Sequence, residues 1–445
     1  MTIAYLAAAL AFSQAQTGQQ TAQSPVVPVQ ATTSGPVLTM EEAVQIAKKN
    51  AFDIRSAASN VRQSRDVLNQ ARATLGPKVS LNASDTHQFN TGAGSSSSDT
   101  KQAGVQLNMP VDITGIIGRG VKGASATVRS AEQSEVGTEN TVILNTRAAY
   151  YDVLRAAALV SVAEQTVVSA QQGVTTEEQQ EAAGVVAHVD VLRLQAQLAQ
   201  AQSDLIAART GLALAKENLN NVIGRPIETQ FDAQEPATLP VVTSDADTLT
   251  KAAVARRPEI KALEYQRQAL AWITRAQEGG LLPSLNLSAN YNRNIDPPSG
   301  TRDSATFATI SLSWPIFDSG LTRARVAAAR EDEEQAKIAE DQVSLGVSLE
   351  VHQAVTNLVN SKSTLDVAAS QVTAAAETYR LAQVRLQAGE GTSLEVSTAL
   401  TALVQAQNGL ANARYNYLTA FAQLQRAVAA DDPDAAATGQ GTGIK

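Results

Sequence analysis

No cysteine occurs anywhere in the 445 residues. Its absence excludes disulfides, thiolate metal sites, a cysteine nucleophile and a lipid-carrying cysteine at a processed N-terminus. The three histidines, His87, His188 and His352, have no second His or Cys ligand three or four residues away. No metal site is therefore expected. Aromatic residues are only 4% of the chain, too few for a large aromatic-lined substrate pocket. Positive charge is also short, with 35 basic against 43 acidic side chains and a net charge of −8. With no basic stripe interleaved with aromatics, nucleic acid is not an expected partner. No run beyond the N-terminus approaches 18 apolar residues, so no transmembrane helix is expected. Gly118-x-Gly120 and Gly389-x-Gly391 lack a third glycine and a Lys-Ser/Thr pair, and no nucleophile elbow or Ser/His/Asp set is present. Neither a cofactor nor enzymatic activity is expected.

What the chain has instead is Ala, Gln and Leu in helix-forming proportion. An apolar run from Ile3 to Phe12, followed by Ser13-Gln14-Ala15, predicts a signal peptide over 1–15,. Residues 16–37, rich in Gln, Thr, Ser and Pro, read as a disordered leader, and 431–445 as a disordered tail,. Between them lies a duplication. Gly76-Pro77-Lys78-Val79-Ser80-Leu81-Asn82-Ala83 recurs as Leu282-Pro283-Ser284-Leu285-Asn286-Leu287-Ser288-Ala289, and Ala183-Gly184 recurs as Ala388-Gly389,. This sets a first repeat over 38–224, a Pro-bearing linker over 225–248 and a second repeat over 249–430. Each repeat reads as a helix of about 35 residues, two strands, a helix of about 65, a glycine turn and a helix of about 35. At 1.5 Å per residue, the long helix and the two shorter ones laid end to end each span about 100 Å.

Two apolar seams follow 4,3,4,3 spacing without a slip. One runs Leu194, Leu198, Ala201, Leu205, Ala208, Leu212, Ala215, Leu219, Val222, and the other Ala399, Leu403, Ala406, Leu410, Ala413, Tyr417, Ala420, Leu424, Ala427. Such heptads predict supercoiled helical neighbours. The strands alternate with period two: Val79, Leu81, Val105, Leu107, Leu285, Leu287, Ile310 and Leu312 share apolar faces, opposed by Ser, Asn, Thr and Gln,. An apolar face backed by a neutral polar one fits lipid outside and a water-filled lumen inside. Four strands cannot close, and open edges in lipid leave backbone groups unsatisfied, so several chains must contribute. Two chains give eight strands and three give twelve; the polar face favours three, because twelve strands leave a pore. The polar loops Asn90–Thr100 and Asp296–Ser304 suit the outer side. Tyr291, Trp314 and Phe317 are candidates for an interfacial aromatic belt.

Together with Pro315-Ile316-Phe317-Asp318-Ser319-Gly320 after a strand, Arg257-Pro258-Glu259-Ile260 opening the second repeat and Gly184-Val185-Val186-Ala187-His188-Val189-Asp190-Val191 at a hairpin tip, the duplication resembles the TolC-type outer-membrane efflux protein family over residues 38–428. The resemblance implies a mainly α fold with membrane β: helical hairpins forming a periplasmic α-barrel, and four strands per chain in a trimeric twelve-stranded barrel embedded in outer-membrane lipid. It also implies a homotrimer, a periplasmic membrane-fusion adaptor and an inner-membrane pump of RND or ABC type, the chain being the passive exit duct for efflux or type I secretion. By that resemblance Asp190, Glu395 and Thr398 fall at a periplasmic gate, and Gly184, Val185, Gly389, Gly391 and Thr392 at adaptor-docking tips. The basic partner often facing Asp190 falls at Gly391, and a second ring acid falls at Thr398, so a weak latch is expected. Thr392 and Glu395 also read as a capping box. The contrasting reading is a soluble periplasmic coiled coil of structural or adaptor-like type, which leaves the strands unexplained.

Overall fold

The computed structural model describes residues 35–87, 99–236, 238–295, 297 and 302–438. The signal peptide and most of the leader and the two outer loops lie outside these residues. The first half contains β1 (Val37–Leu38), α1 (Met40–Asn50), α2 (Phe52–Ala73), β2 (Lys78–His87), β3 (Asp99–Val111), α3 (Ile116–Ala182) and α4 (His188–Val222). After β4 (Asp232–Ala233), the second half runs α5 (Ala246–Arg256), α6 (Pro258–Gln277), β5 (Ser284–Asn294), β6 (Ser304–Ser313), α7 (Leu321–Gln387) and α8 (Ser393–Val428), with a short α9 (Pro433–Ala437) at the end.

Both long helices have 67 residues, or about 100 Å. In the described chain α3 packs against α4, α6, α2 and α8, and α7 against α8, α6 and α5. Every position of the two heptad seams is buried or half-buried, so small Ala alternating with Leu sets the line along which helices meet. One stretch of α3 reaches a mean hydropathy of 1.3 over 18 residues. This corrects the expectation that no helix is long and apolar enough to cross a membrane. Only 11% of that stretch is buried within the chain.

Two expected helices are broken. The first 35-residue helix divides at Ala51 (φ −56°, ψ 133°) and its counterpart at Arg257 (φ −55°, ψ 122°). At Arg257 the cause is Pro258, whose ring bars the preceding residue from the helical region. The long helices start alike. Asp112 accepts from the amides of Ile117 (3.2 Å) and Gly118 (2.7 Å), and Asp318 from those of Gly320 (3.0 Å) and Thr322 (2.7 Å). Gly115 (φ +70°) and Gly320 (φ +87°) turn the chain left-handed beside them. Each carboxylate thus satisfies two amides at a positive helix end.

The four long strands form one antiparallel sheet in the order β2-β3-β5-β6, leaving β2 and β6 as edges. Pairing aligns Val79 with Leu107, Ala289 and Ala308; Leu81 with Val105, Tyr291 and Thr306; Met109 with Leu287 and Ile310; and Val111 with Leu285 and Leu312. Residues paired across strands face the same side, so these rows make one apolar surface. Its far end turns charged, at Arg293 beside Ala103 and at Lys101 beside Asp85.

The middle of the chain is more ordered than its composition suggests. Val37, assigned to the disordered leader, pairs with Asp232 in a small parallel sheet. The linker carries β4 and is tied down by Asn220, whose amide donates to the Ile227 and Thr229 carbonyls at 2.8 and 2.9 Å. The buried Tyr150 hydroxyl accepts from the Gln234 amide and reaches the Leu38 carbonyl, both at 2.8 Å. Burial pushes its pKa up to about 12. The expected tail is also corrected: Asp432 caps α9 through the amides of Asp434 and Ala435 (3.0 and 3.1 Å), and Asp434 accepts from the amides of Thr243 and Ser244 at 2.9 and 2.8 Å.

Arg257 is 2% exposed. Its guanidinium bonds Glu350 and lies 3.3 Å from Glu259, while Arg426 reaches the same two carboxylates. The cluster joins the α5–α6 break to α7 and α8. The aligned position in the first half is Ala51, which packs in an apolar cluster with Ala43, Ala47, Leu219 and Ile223.

Candidate functional site

Two surfaces gather the residues singled out from the sequence: the apolar face of the sheet and the pair of hairpin tips. On the sheet, Val79, Leu81, Ile310 and Leu312 are 64–79% exposed, Val105 and Leu107 are 41% and 38% exposed, and Leu285 and Leu287 are half-buried. All eight share one face by register. Exposing this many large apolar side chains to water is unfavourable at about 25 cal/mol per Å², and the opposite face offers no core to bury them. The three aromatic belt candidates divide between the ends of the sheet. Trp314, whose indole donates to the Leu281 carbonyl at 3.1 Å, and Phe317 lie at the helical end. Tyr291 pairs with Val105 near the charged end.

At the first tip, α3 ends in a left-handed Gly184 (φ +73°), with the Gly184 amide donating to Glu181 and the Val185 amide to Gln180 at 2.8 and 2.9 Å. At the second, Gly389 (φ +75°) does the same, and the Glu390 and Gly391 amides both reach the Arg385 carbonyl at 2.9 and 3.1 Å. Val185 is 72% exposed. Thr392 caps α8 by accepting from the Glu395 amide at 3.2 Å. Only this half of the expected capping box forms, because the Glu395 carboxylate turns to Arg385, 3.4 Å away.

The tips face each other across a cavity of about 450 Å³ lined by Val185, Asp190 and Arg193 from one and by Gly389, Gly391 and Thr392 from the other. Asp190 is paired within its own helix to Arg193 at 2.9 Å. Gly391 does more than lack a basic side chain: a Cβ there would lie 3.0 Å from the Leu386 amide nitrogen and 3.1 Å from the Arg385 Cβ. The cation of the second tip is Arg385, which also donates to the Glu390 carbonyl at 3.1 Å. Thr398 spends its hydroxyl on the Leu394 carbonyl at 2.8 Å. Neither Thr398 nor Glu395 lines the cavity that holds Asp190.

Sequence reasoning missed Arg385, the contact between Gln197 on α4 and Ser397 on α8, and the buried Glu177 on α3. Arg385 and Glu395 are ten residues apart across a turn, a spacing no helical rule singles out. The histidines take separate carboxylate neighbours: Asp85 at 3.5 Å from His87, Glu181 at 2.8 Å from His188 and Asp247 at 3.8 Å from His352.

Comparison with known proteins gives these surfaces their context. The family model described as outer membrane efflux protein matches residues 43–225 and 249–430. The cobalt-zinc-cadmium resistance protein CzcC of Cupriavidus metallidurans is 24% identical over 437 residues, covering 97% of each chain. Outer membrane protein TolC of Escherichia coli is 25% identical over 402 residues, covering 85% of this chain and 79% of its own. Among solved structures, CusC superposes with a TM-score of 0.76 at 18% identity, over 87% of this chain and 91% of its own. The CmeC outer membrane channel of Campylobacter jejuni superposes with 0.75 at 17% identity, over 87% and 85%. Matched over most of its length in two blocks, and carrying an apolar-faced sheet on long helical hairpins, the chain belongs to the outer membrane efflux protein family and is an efflux channel of the outer membrane, with a large periplasmic helical part.

Proposed function

We propose that three copies of the chain close into one duct, a twelve-stranded barrel in the outer membrane continued by a helical tunnel about 100 Å long in the periplasm. The observation that carries this reading is the four-stranded sheet with both edges open and one apolar face. Within lipid each unpaired edge group costs several kcal/mol, so β6 of one copy must pair with β2 of the next. The strand directions suit an antiparallel join, and twelve strands leave a lumen where four or eight do not. The duct itself does no chemical work. Substrate is delivered by an inner-membrane pump of RND or ABC type through a periplasmic adaptor that docks on the tips around Gly184, Val185, Gly389, Gly391 and Thr392.

The narrow periplasmic end is the gate. Asp190 and Glu395 bring carboxylates there, each beside a cation of its own chain, Arg193 and Arg385. With Thr398 in place of a further acid, the gate is weakly latched. The absence of native cysteine makes the assembly directly testable. Cysteine pairs scanned along β2 and β6 should trap covalent trimers in outer-membrane fractions, and purified protein should conduct in planar bilayers. Cross-links that stop at dimers at every register, or protein that stays soluble without detergent, would refute the trimeric duct.

A further inference from the structure

Just above the tips, a second cavity of about 520 Å³ opens between the two hairpins and is lined by α3, α4, α7 and α8 together. Its only charged lining residue is Glu177. That side chain is 1% exposed, and its Oε1 is enclosed with no hydrogen-bond partner among the described residues. A buried carboxylate oxygen without a donor is strongly unfavourable, and a cation is what offsets it. The rest of the wall is neutral. Gln197 and Ser397, bonded to each other across the hairpins, offer amide and hydroxyl groups, while Leu194, Val396 and Tyr379 supply apolar and aromatic surface.

From this arrangement we infer that the cavity is a binding site for a small organic cation, a protonated primary amine with an apolar body. Its ammonium group donates to neighbouring amide or hydroxyl oxygens and to Glu177, whose carboxylate turns from its enclosed position into the cavity to meet it, and its carbon chain lies against Leu194, Val396 and Tyr379. The cavity size is in the range of small-molecule sites and far exceeds an ion's needs. A hard divalent metal would want several anionic oxygens, and the wall offers one carboxylate. Because α3 and α8 both line the site, a bound amine bridges the hairpins. The site lies within one chain and does not rest on the trimeric reading.

Isothermal titration calorimetry on the full-length protein in detergent tests the assignment, with hexylammonium chloride as probe and 1-hexanol and calcium chloride as comparisons. Hexylammonium should bind saturably, one per chain, and hexanol much more weakly. Glu177→Gln keeps the shape and removes the charge, and it should weaken hexylammonium binding about tenfold or more. Tyr379→Ala should weaken it through lost apolar contact. The assignment is overturned if hexylammonium does not saturate on the native chain, if hexanol binds as tightly, if Glu177→Gln binds equally well, or if calcium binds and displaces the amine. The comparison with hexanol uses the native chain, so it decides the question even if the variants fold poorly.

Discussion

Leu107→Arg is the sharpest probe of which side of the sheet meets lipid. Leu107 lies in the row Val79, Leu107, Ala289, Ala308, with two apolar rows toward the helices and one toward the loops before Ala103 and Arg293. It is four residues from Ala103 and four from Val111, about 13 Å from either along the strand, which puts it near the middle of the apolar band. An arginine facing lipid at that depth costs about 2–4 kcal/mol. Three copies in one barrel raise this to about 6–12 kcal/mol, as much as the whole stability of an ordinary domain. The control is Gln106→Arg, one residue away on the opposite face, in the row of Ser80, Asn290 and Phe307. There the guanidinium stays in the aqueous lumen at little cost. Outer-membrane fractionation followed by native gels should show trimers for Gln106→Arg and few or none for Leu107→Arg. If Leu107→Arg assembles as well as the native chain while Gln106→Arg fails, the two faces have been assigned the wrong way round; if both fail equally, neither face tolerates charge and the aqueous lumen is refuted.

Four further outcomes are expected. Arg257→Ala removes the buried member of the Glu259–Glu350–Arg426 cluster and should destabilise by about 3 kcal/mol; Arg330→Ala, whose pair with Glu278 is exposed, should cost under about 1 kcal/mol, both read from thermal unfolding. Gly224→Ala should cost more than Gly389→Ala: both glycines have positive φ, but a Cβ at 224 would sit 2.7 Å from the Asn50 carbonyl oxygen, whereas the space at 389 is open. For Asp434, burial raises the carboxyl pKa, but hydrogen bonds from Ser244 and Thr243 outweigh it and hold the group below its ordinary value. The anchor it gives α9 is therefore complete above about pH 4 and lost only as pH falls below the usual carboxylate range, which hydrogen exchange at the Thr243 and Ser244 amides will report. Glu395→Gln should reduce cation preference in planar bilayers only modestly, because Arg385 already offsets the charge; a large change would mean that this pair opens in the working channel.

The seams and the strands were legible because both carry a period. Each of the eighteen seam positions reports its burial through spacing alone, and each strand residue reports its face through parity. Features that depend on contacts distant in sequence were not legible. Asp431 to Ala437 has the composition of a loose tail, yet Asp434 is held by residues about 190 positions earlier. The break at Ala51 has no proline to announce it, unlike Arg257-Pro258, and shows only by comparison with its repeat. Glu177 stands in the run Thr176-Glu177-Glu178-Gln179, where nothing local separates the enclosed carboxylate from its exposed neighbour.

The strand order also fixes when the membrane part can form. The central pairing joins β3 to β5, with Val111 opposite Leu285 and Gln102 opposite Asn294, contacts about 170–190 residues apart in the chain. Closing so long a loop is entropically costly, and pairing across it is slow unless something first holds the ends together. The helices do this, because α3 packs on α6 and α6 delivers the chain to β5. The expected order of assembly is therefore helices first and sheet last. In that order the apolar face of the sheet would be completed only after the helices have met.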